Sequence, residues 1–147
     1  MMVDTTRQIL LVEDDPDHEV LTIRALRKSN IANEIKVARD GEEAIGLLFG
    51  VQSEFLRGLP QVVLLDLKLP KIDGLEVLRR IRESERTRML PVVVLTSSDE
   101  ESDIVRSYKL GVNSYIRKPV NFTEFAEATR QLGMYWLVLN ECPPIGS

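Results

Sequence analysis

An α/β domain, with a parallel sheet covered by helices on both faces, is predicted by three features of this sequence. Five short apolar runs recur along it: "ILLV" at 9–12, "EIKVA" at 34–38, "VVLL" at 62–65, "VVVL" at 92–95 and "SYI" at 114–116. Segments with helical periodicity alternate with these runs. Three of the runs are continuously apolar, as strands buried on both faces are. Strands alternating with helices predict βαβ units, whose right-handed crossovers leave few topologies.

The first strand ends in Glu13-Asp14-Asp15. In the helix that follows, Val20, Ile23, Ala25 and Leu26 mark the inward face against Arg24, Arg27 and Lys28. Asp15 opens this helix, with Asp17 a second candidate cap. The second run carries Glu34 and Lys36, so it alternates and belongs at a sheet edge. A long connection, "LLFGVQSEFLRGLPQ", leads to the third strand, which ends in Asp66 and cannot continue past Pro70. Asp73-Gly74 is read as a turn and helix start, and Val77, Leu78 and Ile81 as the buried face of that helix. The fourth strand ends in Thr96-Ser97-Ser98. Ser98 or Asp99 is the expected cap of the next helix, with Ile104, Val105, Tyr108 and Leu110 as its apolar pattern. The fifth strand ends in Arg117-Lys118-Pro119.

The 147 residues, 44% hydrophobic and 29% charged, fit one globular domain. We expect it to span 1–147, with a core over about 8–130 and a C-terminal helical extension and tail at 131–147. In the last helix, which runs on into the extension, Phe125, Ala128, Leu132, Trp136 and Leu139 form the stripe facing the sheet, while Met134, Tyr135 and Val138 point elsewhere. A homodimer through that second surface is the expectation, against a chain end folded over its own core. A net charge of −4 gives no electrostatic footprint for nucleic acid. With one cysteine, Cys142, and one histidine, His18, there is neither an intrachain disulfide nor a zinc cluster. No apolar run reaches membrane-spanning length, so a cytoplasmic protein is expected. His18 reads as a surface residue early in the first helix.

In open parallel sheets, ligands bind beyond the carboxyl ends of the strands, where strand order reverses. The four polar sets that end the first, third, fourth and fifth strands all fall on that rim. Carboxylates gathered in one pocket repel, which raises a pKa or recruits a cation, and hard oxygen donors suit magnesium. A carboxylate can itself accept a phosphoryl group, and such transfer needs little beyond positioning and charge neutralisation. The residues therefore point to a phosphorylatable aspartate beside Mg2+.

The segments "ILLVEDDP", "VVLLDLKLPKIDG", "PVVVLTSSD" and "GVNSYIRKP" resemble the four signatures of bacterial response-regulator receiver domains, in family order, from about Gln8 to Thr129. The resemblance implies a flavodoxin-like (βα)5 sheet of order 2-1-3-4-5. It makes Asp66 the phosphoacceptor. Glu13 and Asp14 become the acidic pair, with Asp14 directly on the metal and Glu13 through water. The backbone carbonyl of Lys68 completes the protein's share of the metal shell. Thr96 is implied to bond the phosphoryl group and Lys118 to pair with it, the Lys118–Pro119 bond being cis. Tyr115 matches the aromatic switch position, coupled to Thr96. The long connection and C-terminal tail resemble the stand-alone receivers that partner phytochrome-type sensor histidine kinases. The implied protein is a signalling protein rather than an enzyme, though it assists its own phosphotransfer and dephosphorylation. It takes its phosphoryl group from a histidine kinase or phosphotransfer protein and signals by contact or phosphorelay, without a DNA-binding output domain. Two other readings are a phosphohydrolase with an aspartyl intermediate and a phosphate-independent receiver relative. The first usually has an acid two residues after its nucleophile, where this chain has Lys68; the second need not keep the whole residue set.

Overall fold

Each sheet strand of the computed structural model follows an apolar run, and each is laid down parallel to its neighbours. The structure describes residues 8–28, 33–50, 55, 58–98, 100–118, 123, 124, 127, 130 and 131. Within them the chain runs β1 (Ile9–Val12), α1 (Pro16–Lys28), β2 (Ile35–Ala38), α2 (Gly41–Phe49), β3 (Val62–Leu65), α3 (Gly74–Glu83), β4 (Val92–Thr96), α4 (Glu101–Lys109) and β5 (Ser114–Arg117). The sheet order is β2-β1-β3-β4-β5, so β2 lies at an edge as its alternation predicts. β1 pairs with both β2 and β3, Val12 standing opposite Ala38 on one side and Leu65 on the other. The order therefore reverses between β1 and β3, and the crevice expected of such sheets lies over their carboxyl ends.

Period-two alternation sends each strand's side chains to two separate cores. Leu10, Val12, Val63, Leu65, Val92 and Val94 pack on one face with Leu48, Val77, Leu78 and Ile81 of α2 and α3. Ile9, Leu11, Val62, Leu64 and Val93 pack on the other with Leu26 of α1. The long connection after α2 returns Phe55 to the first core, where it is 1% exposed.

Two helix starts follow the sequence reading. Asp15 Oδ1 accepts the Asp17 and His18 amides at 2.9 and 3.3 Å, and Pro16 takes the first helical position, where no amide is needed. Asp73 caps α3 by accepting from the Glu76 amide at 3.0 Å. Two expected faces differ. α1 buries Thr22, Ala25 and Leu26, leaving Val20 half exposed. α4 buries Asp103 and Ser107, and exposes Val105 and Tyr108. Periodicity misassigned α4 because the side chain it turns inward is an acid satisfied by partners from other elements. Ser98, an expected cap of α4, does not take that position: Glu100 occupies it, without a side-chain cap bond.

Arg82 staples two loops at the sheet's amino edge. Its guanidinium donates to the carbonyls of Arg88, Leu90 and Gly111 and to Asn113 Oδ1, at 2.7 to 3.1 Å. Burial lowers its pKa, and carbonyl dipoles rather than an acid satisfy it. Arg82→Ala is expected to lower the unfolding free energy by about 2–3 kcal/mol, since charge-assisted bonds are lost and carbonyls left unpaired. Urea unfolding, compared at equal slope, measures it.

Residues 132–147 lie outside the described residues, and with them the dimer surface expected there. Asp99 and Pro119 do too, and so the expected cis bond. Among the described residues no helix is long and apolar enough to cross a membrane.

Candidate functional site

The sheet's own hydrogen bonds continue one residue past the strands and hold the rim. The Glu13 amide donates to Ala38 O at 2.9 Å, Asp66 to Val12 O at 3.0 Å, and Lys118 to Thr96 O at 2.7 Å. Three site residues thus have backbones fixed by the ladder, and Thr96 is the last residue of β4 itself. Behind Asp66, Gly74 brings the α3 amino end against the backbone, its amide donating to Leu67 O at 2.9 Å.

One carboxylate oxygen from each of Glu13, Asp14 and Asp66 can be chosen so that all lie within 4.8 Å of one another. Asp14 is exposed, while Glu13 and Asp66 are buried. Lys118 Nζ reaches in from β5 and donates to Glu13 Oε1 at 2.5 Å and Asp66 Oδ2 at 3.1 Å. The Thr96 hydroxyl donates to Asp66 Oδ1 at 2.7 Å, and the Lys68 amide points to the same oxygen at 3.3 Å. Residues spread from 13 to 118 in the sequence share one pocket.

Burial lifts the Glu13 carboxyl to about 7, against the opposing bond and charge of Lys118. Burial pushes Asp66 the same way. There, however, the Lys118 charge and the bonds from Thr96 and Lys118 win, leaving its pKa below the usual carboxylate value. The two environments differ: Lys118 and Thr96 hold Asp66 as the anion at neutral pH, whereas burial makes the Glu13 carboxyl easier to protonate than an ordinary carboxylate. Three carboxylates face one ammonium, and all the donors are hard oxygens. Glu13, Asp14 and Asp66 therefore fit a divalent cation.

A second polar cluster adjoins the first. Asp103, buried on α4, accepts from the Ser98 hydroxyl at 2.6 Å and pairs with Lys68 Nζ at 3.1 Å. The Ser98 bond, outweighing burial, and then Lys68 hold its pKa down. The Tyr115 hydroxyl donates to Ser98 O at 2.8 Å, and the Ser98 amide approaches Thr96 Oγ1 at 3.3 Å. A polar path thus runs from Asp66 through Thr96 and Ser98 to Tyr115 and α4. Sequence reasoning missed Asp103, because an acid in a first helical turn is ordinarily read as a solvated charge favoured by the dipole. The reading of His18 as a surface residue is also corrected. Its Nδ1 lies 2.9 Å from Lys118 Nζ, with its side chain 35% exposed.

A doubly wound sheet in this order, with an acidic pair, a strand-end acid, a threonine and a lysine on one rim, has the architecture of a receiver domain. Residues 9–130 match the response regulator receiver domain family, and the chain belongs to it. It is similar to the response regulator Rcp1 of Synechocystis sp., 39% identical over 130 residues that cover 88% of each protein. A solved Mn(2+)-bound form of Rcp1 superposes with a TM-score of 0.86 at 37% identity, over 94% of this chain and 99% of that one. The phosphorylated cyanobacterial phytochrome response regulator RcpA gives 0.88 at 37% identity, over 95% and 99% of the two chains. The bacteriophytochrome response regulator AtBRR is 53% identical with a TM-score of 0.70, over 92% and 99%.

Proposed function

We propose that this chain accepts a phosphoryl group on Asp66 from the phosphohistidine of a sensor kinase or phosphotransfer protein, in a magnesium-dependent reaction. The observation that carries it is the buried Asp66 carboxylate, with Lys118 Nζ on one oxygen and the Thr96 hydroxyl on the other. An Asp66 oxygen forms the bond to phosphorus as the donor's nitrogen–phosphorus bond breaks, and the departing imidazole takes up a proton. Lys118 exchanges its Asp66 contact for a phosphoryl oxygen, neutralising charge as it is transferred. Thr96 follows the same group with its hydroxyl and draws on the Ser98–Tyr115 path toward α4, so occupancy of Asp66 biases that surface. Glu13, Asp14, Asp66 and, by family resemblance, the Lys68 carbonyl would hold Mg2+, which would supply further charge neutralisation.

The pairing of Lys68 with Asp103 argues against the phosphohydrolase reading. The position that needs an acid at the reacting group carries a cation engaged elsewhere. A phytochrome-type kinase is the proposed donor, supported by the phytochrome response regulators among the similar structures.

Incubated with a small-molecule phosphodonor and magnesium, the protein is expected to gain one phosphoryl group, mapped to Asp66 by mass spectrometry. Chelation of the metal should stop uptake. No uptake with the metal present, or uptake that chelation leaves unchanged, overturns this reading.

A further inference from the structure

An ammonium carries three protons and no lone pair, so it only donates. Lys118 Nζ has three neighbours at hydrogen-bond distance: Glu13 Oε1, Asp66 Oδ2 and His18 Nδ1. The last contact therefore requires Nδ1 to be the acceptor and the imidazole proton to sit on Nε2. It joins the first turn of α1 to the end of β5, 100 residues apart. His18 is aimed there by the helix start itself. Pro16 sets the first helical position, and Asp15 Oδ1 accepts the His18 amide at 3.3 Å.

Two of the three Lys118 partners change during the reaction proposed above. Asp66 becomes the acyl phosphate, and Glu13 belongs to the metal-binding set. His18 belongs to neither. From this we infer that His18 is a positioning residue for phosphoryl transfer: it anchors the Lys118 ammonium in a fixed direction while the other two contacts are remade. The inference rests on Asp66 as phosphoacceptor. Its chemistry is simple, because a preorganised ammonium costs no reorientation when charge develops on the transferring group. Without an acceptor at position 18, the three contacts described for Nζ include none outside the reacting and metal-binding groups while Asp66 becomes the acyl phosphate and Lys118 takes up a phosphoryl oxygen.

The test follows phosphorylation of the full chain by a small-molecule phosphodonor at saturating magnesium, in five proteins. These are wild type, His18→Leu, His18→Ala, His18→Asn and Asp66→Asn. Leucine and alanine remove the acceptor at a partly exposed helix-start position, whereas asparagine Oδ1 takes the place of Nδ1. The maximal rate is expected to fall about tenfold in both apolar variants and to stay within about twofold of wild type in His18→Asn. The donor concentration giving half-maximal rate should be unchanged in all three. A merely structural histidine would not be rescued by the acceptor alone. Wild-type rates in the apolar variants, or a His18→Asn rate as low as theirs, overturn the inference. Uptake by Asp66→Asn equal to wild type instead overturns the phosphoacceptor assignment, so the two failures are separable.

Discussion

Asp66→Asn is expected to take up no measurable phosphoryl group, a loss of at least about a hundredfold in rate, with the fold retained. The amide keeps the shape of the carboxylate, and its oxygen still accepts from the Thr96 hydroxyl. What it lacks is a charged oxygen nucleophile, since an amide nitrogen shares its lone pair with the carbonyl. Lys118 keeps Glu13 and His18, so no buried ammonium is stranded. Asp66→Glu separates charge from position. It keeps the acid but moves it about 1 Å or more, a displacement of the size that costs on the order of a hundredfold. Phosphorylation measured by mass spectrometry, together with thermal unfolding of each variant, decides the matter. Retained uptake in Asp66→Asn would move the acceptor to another residue.

Gly74→Ala should produce a large loss of stability for a single added methyl group. A β-carbon there would stand 2.2 Å from Asp66 O and 2.6 Å from Leu67 Cα, both backbone atoms that cannot turn aside. α3 must then retreat from the end of β3. We expect a cost of about 3 kcal/mol, at the upper end for overpacking, and slower phosphorylation because the strained carbonyl belongs to Asp66 itself. The same substitution at Gly46, in the interior of α2 with nothing within 4 Å of its β-carbon, has the opposite sign. There alanine should gain about 0.5–1 kcal/mol from helix propensity. Urea midpoints at equal slope compare the two, and equal effects would show that crowding against Asp66 is not the cause.

Much of the fold was legible because local chemistry and tertiary need agreed. Strands buried on both faces must be apolar throughout, so "VVLL" and "VVVL" could be read directly. The β2 edge announced itself through Lys36. Asp15 and Asp73 are helix-start residues for backbone reasons that no distant contact alters. The rim residues were legible for a different reason: a parallel sheet carries all strand ends to one side, so knowing the strands gives the neighbours. Helix faces were less readable. Val105 and Tyr108 carry an apolar signal, yet α4 turns Asp103 inward, because Ser98 and Lys68, from two other loops, satisfy the acid.

The sequence by itself thus determined the class of fold, the family and the residues gathered on the rim, since apolar runs, turn residues and motif order are local properties. Only the tertiary structure decided how those residues share protons and partners. That Glu13 is lifted to about 7 while Asp66 is held low depends on burial and on where one ammonium stands. That Lys68 serves Asp103, and that the single histidine braces Lys118, depends on contacts across 35 and 100 residues. Pairings of this kind are set by distance in space, and spacing along the chain does not encode them.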